Sequence, residues 1–185
     1  ISHFHGDHIG GLRTGEGPIN FPNAQIMVPA DEWAFWMDDG NMSRAPETGP
    51  VRMTFQNSRR IFKDMADKVS RYERGKEILP GITSIATTGH TPGHSSFLVT
   101  SGAGKLVVQA DVTGHPAVNL RNPNWHSFFD MDGPVAEASR RKLFDMVAAD
   151  KIPISGYHYP FPALGYIEKD GERYRLNPAS WQPVI

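Results

Sequence analysis

ISHFHGDHIGGL, residues 1–12, is the stretch that decides how this chain is read. His3, His5, Asp7 and His8 stand there as H-x-H-x-D-H, four potential metal ligands within six positions. Gly6 punctuates them and Gly10-Gly11 follows, so a tight turn can carry their side chains toward one point. Imidazoles at that density suit zinc, and a carboxylate among them suits a second or shared metal. The plain alternative is a polar loop with chance histidines. Against it, the chain has only eight histidines in 185 residues and places three of them here.

Working outward, TTGHTPGHSSFLV (87–99) carries His90 and His94, QADVTGH (109–115) carries Asp111, and SGYHYPF (155–161) carries His158. His94 reads as a histidine that holds its loop rather than as a ligand, and it is left out of the metal set. Two divalent ions about 3.5–4 Å apart can share a water and lower its pKa toward neutrality. With no Cys, and no G-x-S-x-G around any Ser, covalent catalysis has no candidate nucleophile.

Taken together, these segments resemble the metallo-β-lactamase superfamily, whose order is H-x-H-x-D-H, a lone His, a bridging Asp and a last His. The resemblance implies an α/β fold, the αββα metallo-β-lactamase sandwich. It implies that His3, His5 and His90 bind one metal, that Asp7, His8 and His158 bind the other, and that Asp111 lies between them. Asp7 and Asp111 are then the carboxylates that serve catalysis, and the cofactors are two divalent metal ions, zinc the first choice. A bridging hydroxide would attack while one metal polarises the scissile C=O or P=O bond and the other receives the leaving oxygen.

DEWAFWMDDGNMSRAPE (31–47), DGPVAEASRRKLFDMVAADK (132–151) and GYHYPFPALGYIEKDGERYRLNP (156–178) are similar to the branch that contains methyl parathion hydrolase and lactonase-like enzymes. That similarity implies hydrolysis of ester, lactone or phosphotriester bonds in a small-molecule substrate, a possible homodimer, and a periplasmic or secreted location. One departure is visible: lactone-opening members usually carry a Tyr three residues after the bridging Asp, where this chain has Val112, Thr113 and Gly114. The alternative within the same fold is a non-hydrolytic di-iron redox protein. In the superfamily the first motif ends a buried strand, of which Ile1 and Ser2 are present. Residues 1–185 are therefore expected to be the C-terminal portion of a single metallo-β-lactamase-fold domain lacking its N-terminal part, with an N-terminal segment of the same protein completing the fold.

Composition narrows the partners. A hydrophobic fraction of 39%, 21% charged residues and a net charge of −1 describe an ordinary globular chain with a real core. Scattered Lys and Arg form no basic stripe, which argues against nucleic acid, and no apolar run approaches 18 residues, which argues against a membrane span. Among the aromatics on segments flanking the ligands, Trp36 and Trp125 are expected to face the substrate.

Hydrophobic periodicity supplies the elements. Residues 24–28 read as a strand, 29–37 as a short helix with Asp31 and Glu32 in its first turn, and 39–50 as a loop. Apolar positions from Val51 to Tyr72 recur at helical spacing. Residues 81–88, 96–100, 105–110 and 151–156 read as strands. Asp132-Gly133-Pro134 opens a helix with Val135, Ser139, Leu143, Met146 and Val147 inside, and Asp170-Gly171 turns a final hairpin.

Overall fold

The computed structural model describes residues 1–180. They fall into two compact units, one comprising Ile1–Arg74 with Thr91–His94, the other Gly75–His90 with the described residues from Ser95 onward.

In the first unit the H-x-H-x-D-H segment winds into a single helical turn, α1 (Gly6–Ile9), continued by a 3-10 turn at Gly10–Leu12. Strand β1 (Ile26–Pro29) leads into α2 (Ala30–Trp36). Residues 39–50, expected as loop, contain a six-residue helix, α3 (Asp39–Arg44). The Asp38 carboxylate caps it, accepting from the Asn41 amide at 2.6 Å, a local signal that the Gly and Asn content obscures. Helix α4 (Pro50–Ile61) begins on Pro at its first position.

The helix expected to reach residue 72 ends eleven residues sooner than that, at Ile61. Asp64 adopts a left-handed backbone (φ 58°), which breaks the helix, and β2 (Val69–Tyr72) then pairs in parallel with β1. Phe62 and Met65 keep the apolar spacing because they fold into the same core as Ile61, together with Phe4, Val28, Trp36 and Phe55.

The second unit is built on a seven-stranded sheet whose spatial order follows the chain: β3 (Glu77–Leu79), β4 (Ile82–Ala86), β5 (Ser95–Ser101), β6 (Gly104–Val108), β7 (Ile154–Ser155), β8 (Leu164–Asp170) and β9 (Arg173–Pro178). Neighbours are antiparallel except β6 and β7, which run parallel. A parallel pair needs a long crossover, and here it contains α5 (Pro116–Asn119) and α6 (Gly133–Ala149). Since β4 and β6 are both antiparallel to β5, strands β4, β6 and β7 all point one way. The loops that follow these three strands, bearing His90, Asp111 and His158, therefore leave the same end of the sheet.

Leu143, Phe144 and Val147 of α6 pack with Val107, Ile154, Ile167 and Tyr174 as the second core. The inner face of α6 differs from the expected stripe: Val135 is 41% exposed, whereas Ala136, Arg140 and Phe144 are buried. Leu143 and Val147 lie inside as expected, and the difference lies mainly in the first turns, where a long cationic side chain at Arg140 reads as solvent-directed in sequence. Among the described residues, no helix is long and apolar enough to cross a membrane.

Candidate metal centre

Each unit carries part of the expected ligand set. In the first, His3 is fully buried and its Nε2 approaches His5 Nδ1 at 3.1 Å. Its ring also lies 4.1 Å, centroid to centroid, from that of His8. Asp7 Oδ2 stands 3.4 Å from His8 Nε2. His3 and His5 precede α1 and stand two residues apart, and the turn closed by the His8 amide donating to the His5 carbonyl at 3.0 Å folds His8 back beside them. His94, fully buried, tilts against the His3 ring at a centroid distance of 4.9 Å.

Behind that segment sits a charged residue that the sequence marked only as a favourable first-turn acid. Glu32 is completely buried. One carboxylate oxygen accepts from the Phe4 amide at 2.9 Å and Trp36 Nε1 at 2.8 Å, the other from Thr91 Oγ1 at 2.9 Å and the Gly93 amide at 2.7 Å. Phe4 separates His3 from His5, so this one carboxylate ties the H-x-H backbone to residues 91–93. Burial pushes the Glu32 carboxyl up from its ordinary value, against the pull of those four donors. Trp36, expected to face the substrate, is instead enclosed: its ring packs edge-on against Phe35 and Phe55, and its indole nitrogen serves Glu32.

In the second unit His90, Asp111 and His158 converge. Asp111 Oδ2 lies 3.1 Å from His158 Nε2 and 3.6 Å from His90 Nε2. The His90 tautomer follows from its other nitrogen, since Nδ1 is 2.9 Å from Asp130 Oδ1 and a carboxylate can only accept. Nδ1 is the donor, which leaves Nε2 as the acceptor nitrogen turned toward Asp111. Burial works against the Asp130 charge, but the His90 ring, the Ser127 amide and the Arg140 guanidinium outweigh it and hold this carboxyl below the usual range. Neither Asp130 nor Arg140 was legible in the sequence as part of the site. The signal that could have found Asp130 is an acid inside the aromatic segment SFFDMDGP, just ahead of the α6 cap.

Backbone conformation at these loops is specialised. Gly89 has φ 117°, and a Cβ there would lie 2.1 Å from the Ala136 amide nitrogen of α6. Ala110, directly before Asp111, is left-handed at φ 53°, a conformation that costs a non-glycine residue about 1–2 kcal/mol. Such strain clusters where side chains are held for function.

The surrounding aromatics divide. Tyr159 is buried, its hydroxyl 3.0 Å from Thr113 Oγ1 and its pKa pushed up to about 12 by burial. Trp125 is 56% exposed, and Phe128, Tyr157 and Phe161 are also exposed. His115 and His126 have local tasks: His115 Nδ1 accepts from the Ala117 amide at the start of α5, and His126 pairs with Glu137 at 3.3 Å. The donor set of imidazoles and carboxylates, with no thiolate, fits divalent cations of the zinc type and their harder neighbours.

A family model described as metallo-beta-lactamase superfamily matches residues 1–156. A protein from Bacillus subtilis (strain 168), YobT, described as uncharacterized, is 30% identical over 100 residues, 54% of this chain and 40% of its own length. Among solved structures, hydrolase AbOPH of the beta lactamase superfamily is similar over 98% of this chain, with a TM-score of 0.89 and 28% identity. AidC, a dizinc quorum-quenching lactonase in complex with a product, is similar over 98% of this chain, with a TM-score of 0.86 and 27% identity. This chain spans 63% of the length of each of those two structures.

Proposed function

This chain belongs to the metallo-beta-lactamase superfamily, and on that premise we propose that it is the ligand-bearing part of a binuclear metal-dependent hydrolase acting on ester, lactone or phosphotriester bonds. In this reading His3, His5 and His90 would hold one divalent cation and Asp7, His8 and His158 the other, with Asp111 available to both. The observation that carries it is the triad of His90, Asp111 and His158, with two imidazole nitrogens within 3.6 Å of one carboxylate oxygen and the His90 tautomer set for ligation by Asp130.

Two bound cations supply Lewis acidity and a water whose pKa falls toward neutrality. The protein's own groups supply the rest. Asp130 keeps the His90 proton on Nδ1, which leaves Nε2 as the acceptor nitrogen and fixes the ring orientation. The carboxylates of Asp111 and Asp7 would offset the cationic charge and could accept hydrogen bonds from a water held there. Trp125, with Phe128 and Tyr157, offers exposed aromatic surface on the loops that carry Asp130 and His158, which suits an aryl or acyl substrate held by stacking. The likeness to AbOPH, a hydrolase, and to AidC, a dizinc lactonase, supports the reaction class.

Elemental analysis of the full-length protein, paired with a screen of lactone, aryl ester and phosphotriester substrates, tests the proposal. Two ions per chain are expected, with turnover of at least one substrate class and loss of at least one ion in Asp111→Ala. A single tightly bound ion, with turnover intact in Asp111→Ala, overturns the bridged-pair reading.

A further inference from the structure

Arg140 occupies the middle of α6 with 1% of its surface exposed, in a core otherwise made by Leu143, Phe144 and Val147 on the same helix. A buried guanidinium is strongly unfavourable unless its donors are met. Here Nε donates to the Val112 carbonyl at 2.9 Å, Nη1 to the carbonyls of Pro123 at 2.6 Å and Trp125 at 3.1 Å, and Nη2 to Asp130 Oδ2 at 3.4 Å. All of these acceptors lie on loops, and two have direct links to the proposed site: Val112 is the residue after Asp111, and Asp130 holds His90.

We infer that Arg140 is a positioning residue for two proposed metal ligands at once, gripping the Asp111 loop through the Val112 carbonyl and the His90 ring through Asp130. The inference rests on the metal-binding reading above. A guanidinium suits the task because its donors form a planar fork that fixes the spacing of separate acceptors, whereas a lysine ammonium is a point charge on a flexible stem. Packing alone does not explain the choice, since an apolar side chain of similar volume commonly serves a core as well as a buried ion pair does. The acceptors explain it: one rigid group on a helix sets the distance between His90 Nε2 and the Asp111 carboxylate, which is 3.6 Å.

Metal-free full-length protein carrying Arg140→Met or Arg140→Lys, titrated with cobalt(II), tests this. Near-UV circular dichroism and thermal unfolding of the metal-free forms report on folding separately from ligation. The expected result is a folded Arg140→Met protein whose cobalt affinity falls about 10–100-fold and whose visible cobalt spectrum changes, with Arg140→Lys recovering only part of the affinity. A folded Arg140→Met protein with wild-type cobalt affinity and spectrum overturns the inference. Should Arg140→Met not fold, Arg140→Lys decides: at least a tenfold loss of cobalt affinity upholds the inference, and wild-type binding overturns it. A wild-type protein that takes up no cobalt brings down the metal reading itself, and this inference with it.

Discussion

At the scale of single residues, the glycine before His90 carries a requirement that its neighbours do not. Gly89 combines a left-handed φ of 117° with a place 2.1 Å from the Ala136 nitrogen for any added Cβ. Gly102, at φ 55°, faces open space. Gly89→Ala is therefore expected to lower stability by about 2–5 kcal/mol, strain and overpacking acting together, against about 1 kcal/mol for Gly102→Ala. Urea denaturation of the two variants without metal checks this, and equal losses would show that the helix simply moves away. The candidate ligands are visible in the sequence alone. H-x-H-x-D-H, His90, Asp111 and His158 announce themselves because histidines are few and the spacing is local. Glu32 and Asp130 do not, since each is an ordinary acid whose role depends on partners about 28 to 61 residues away in sequence.

At the scale of elements, α6 is both a packing element and a support for the loops beside it. Its Asp132 side chain accepts from the Val135 amide at 3.1 Å while the Asp132 amide donates to the Gly89 carbonyl at 2.8 Å. The cap of the helix and the approach to His90 are thus one hydrogen-bonded unit. Asp132→Ala is expected to cost about 1 kcal/mol of stability by removing the cap, leaving the backbone bond to Gly89 in place, and a thermal melt that shows no change would contradict the capping role. D-G-P announced where this helix begins, and local chemistry sufficed for that. Periodicity finds Leu143 and Val147 on its buried face but not Arg140, because a long cationic side chain belongs outside by default. The helix expected over 51–72 failed for a related reason: Phe62, Met65 and Tyr72 are buried as the pattern requires, but Asp64 turns the chain and pairing with β1 makes the last of them a strand residue.

At the scale of the molecule, the second unit separates what holds from what touches. Strands β4, β6 and β7 deliver His90, Asp111 and His158 from one end of the sheet, and Arg140 fastens the intervening loop at Pro123, Trp125 and Asp130. Between the last two anchors the loop presents Phe128 at 81% exposure and Phe129 at 53%. Phe128→Ala and Phe129→Ala are expected to change stability by no more than about 0.5 kcal/mol and to leave cobalt affinity unaltered, while shifting KM between aryl and acyl substrates. Unchanged KM values across the panel would remove this tip from the recognition surface. A loop pinned at both ends with two exposed rings near its middle is a natural place for sequence to vary. Under the proposed function, substitutions at the tip would alter which compounds are accepted while leaving His90, Asp111 and His158 where they are, so substrate preference and metal retention would be free to change separately.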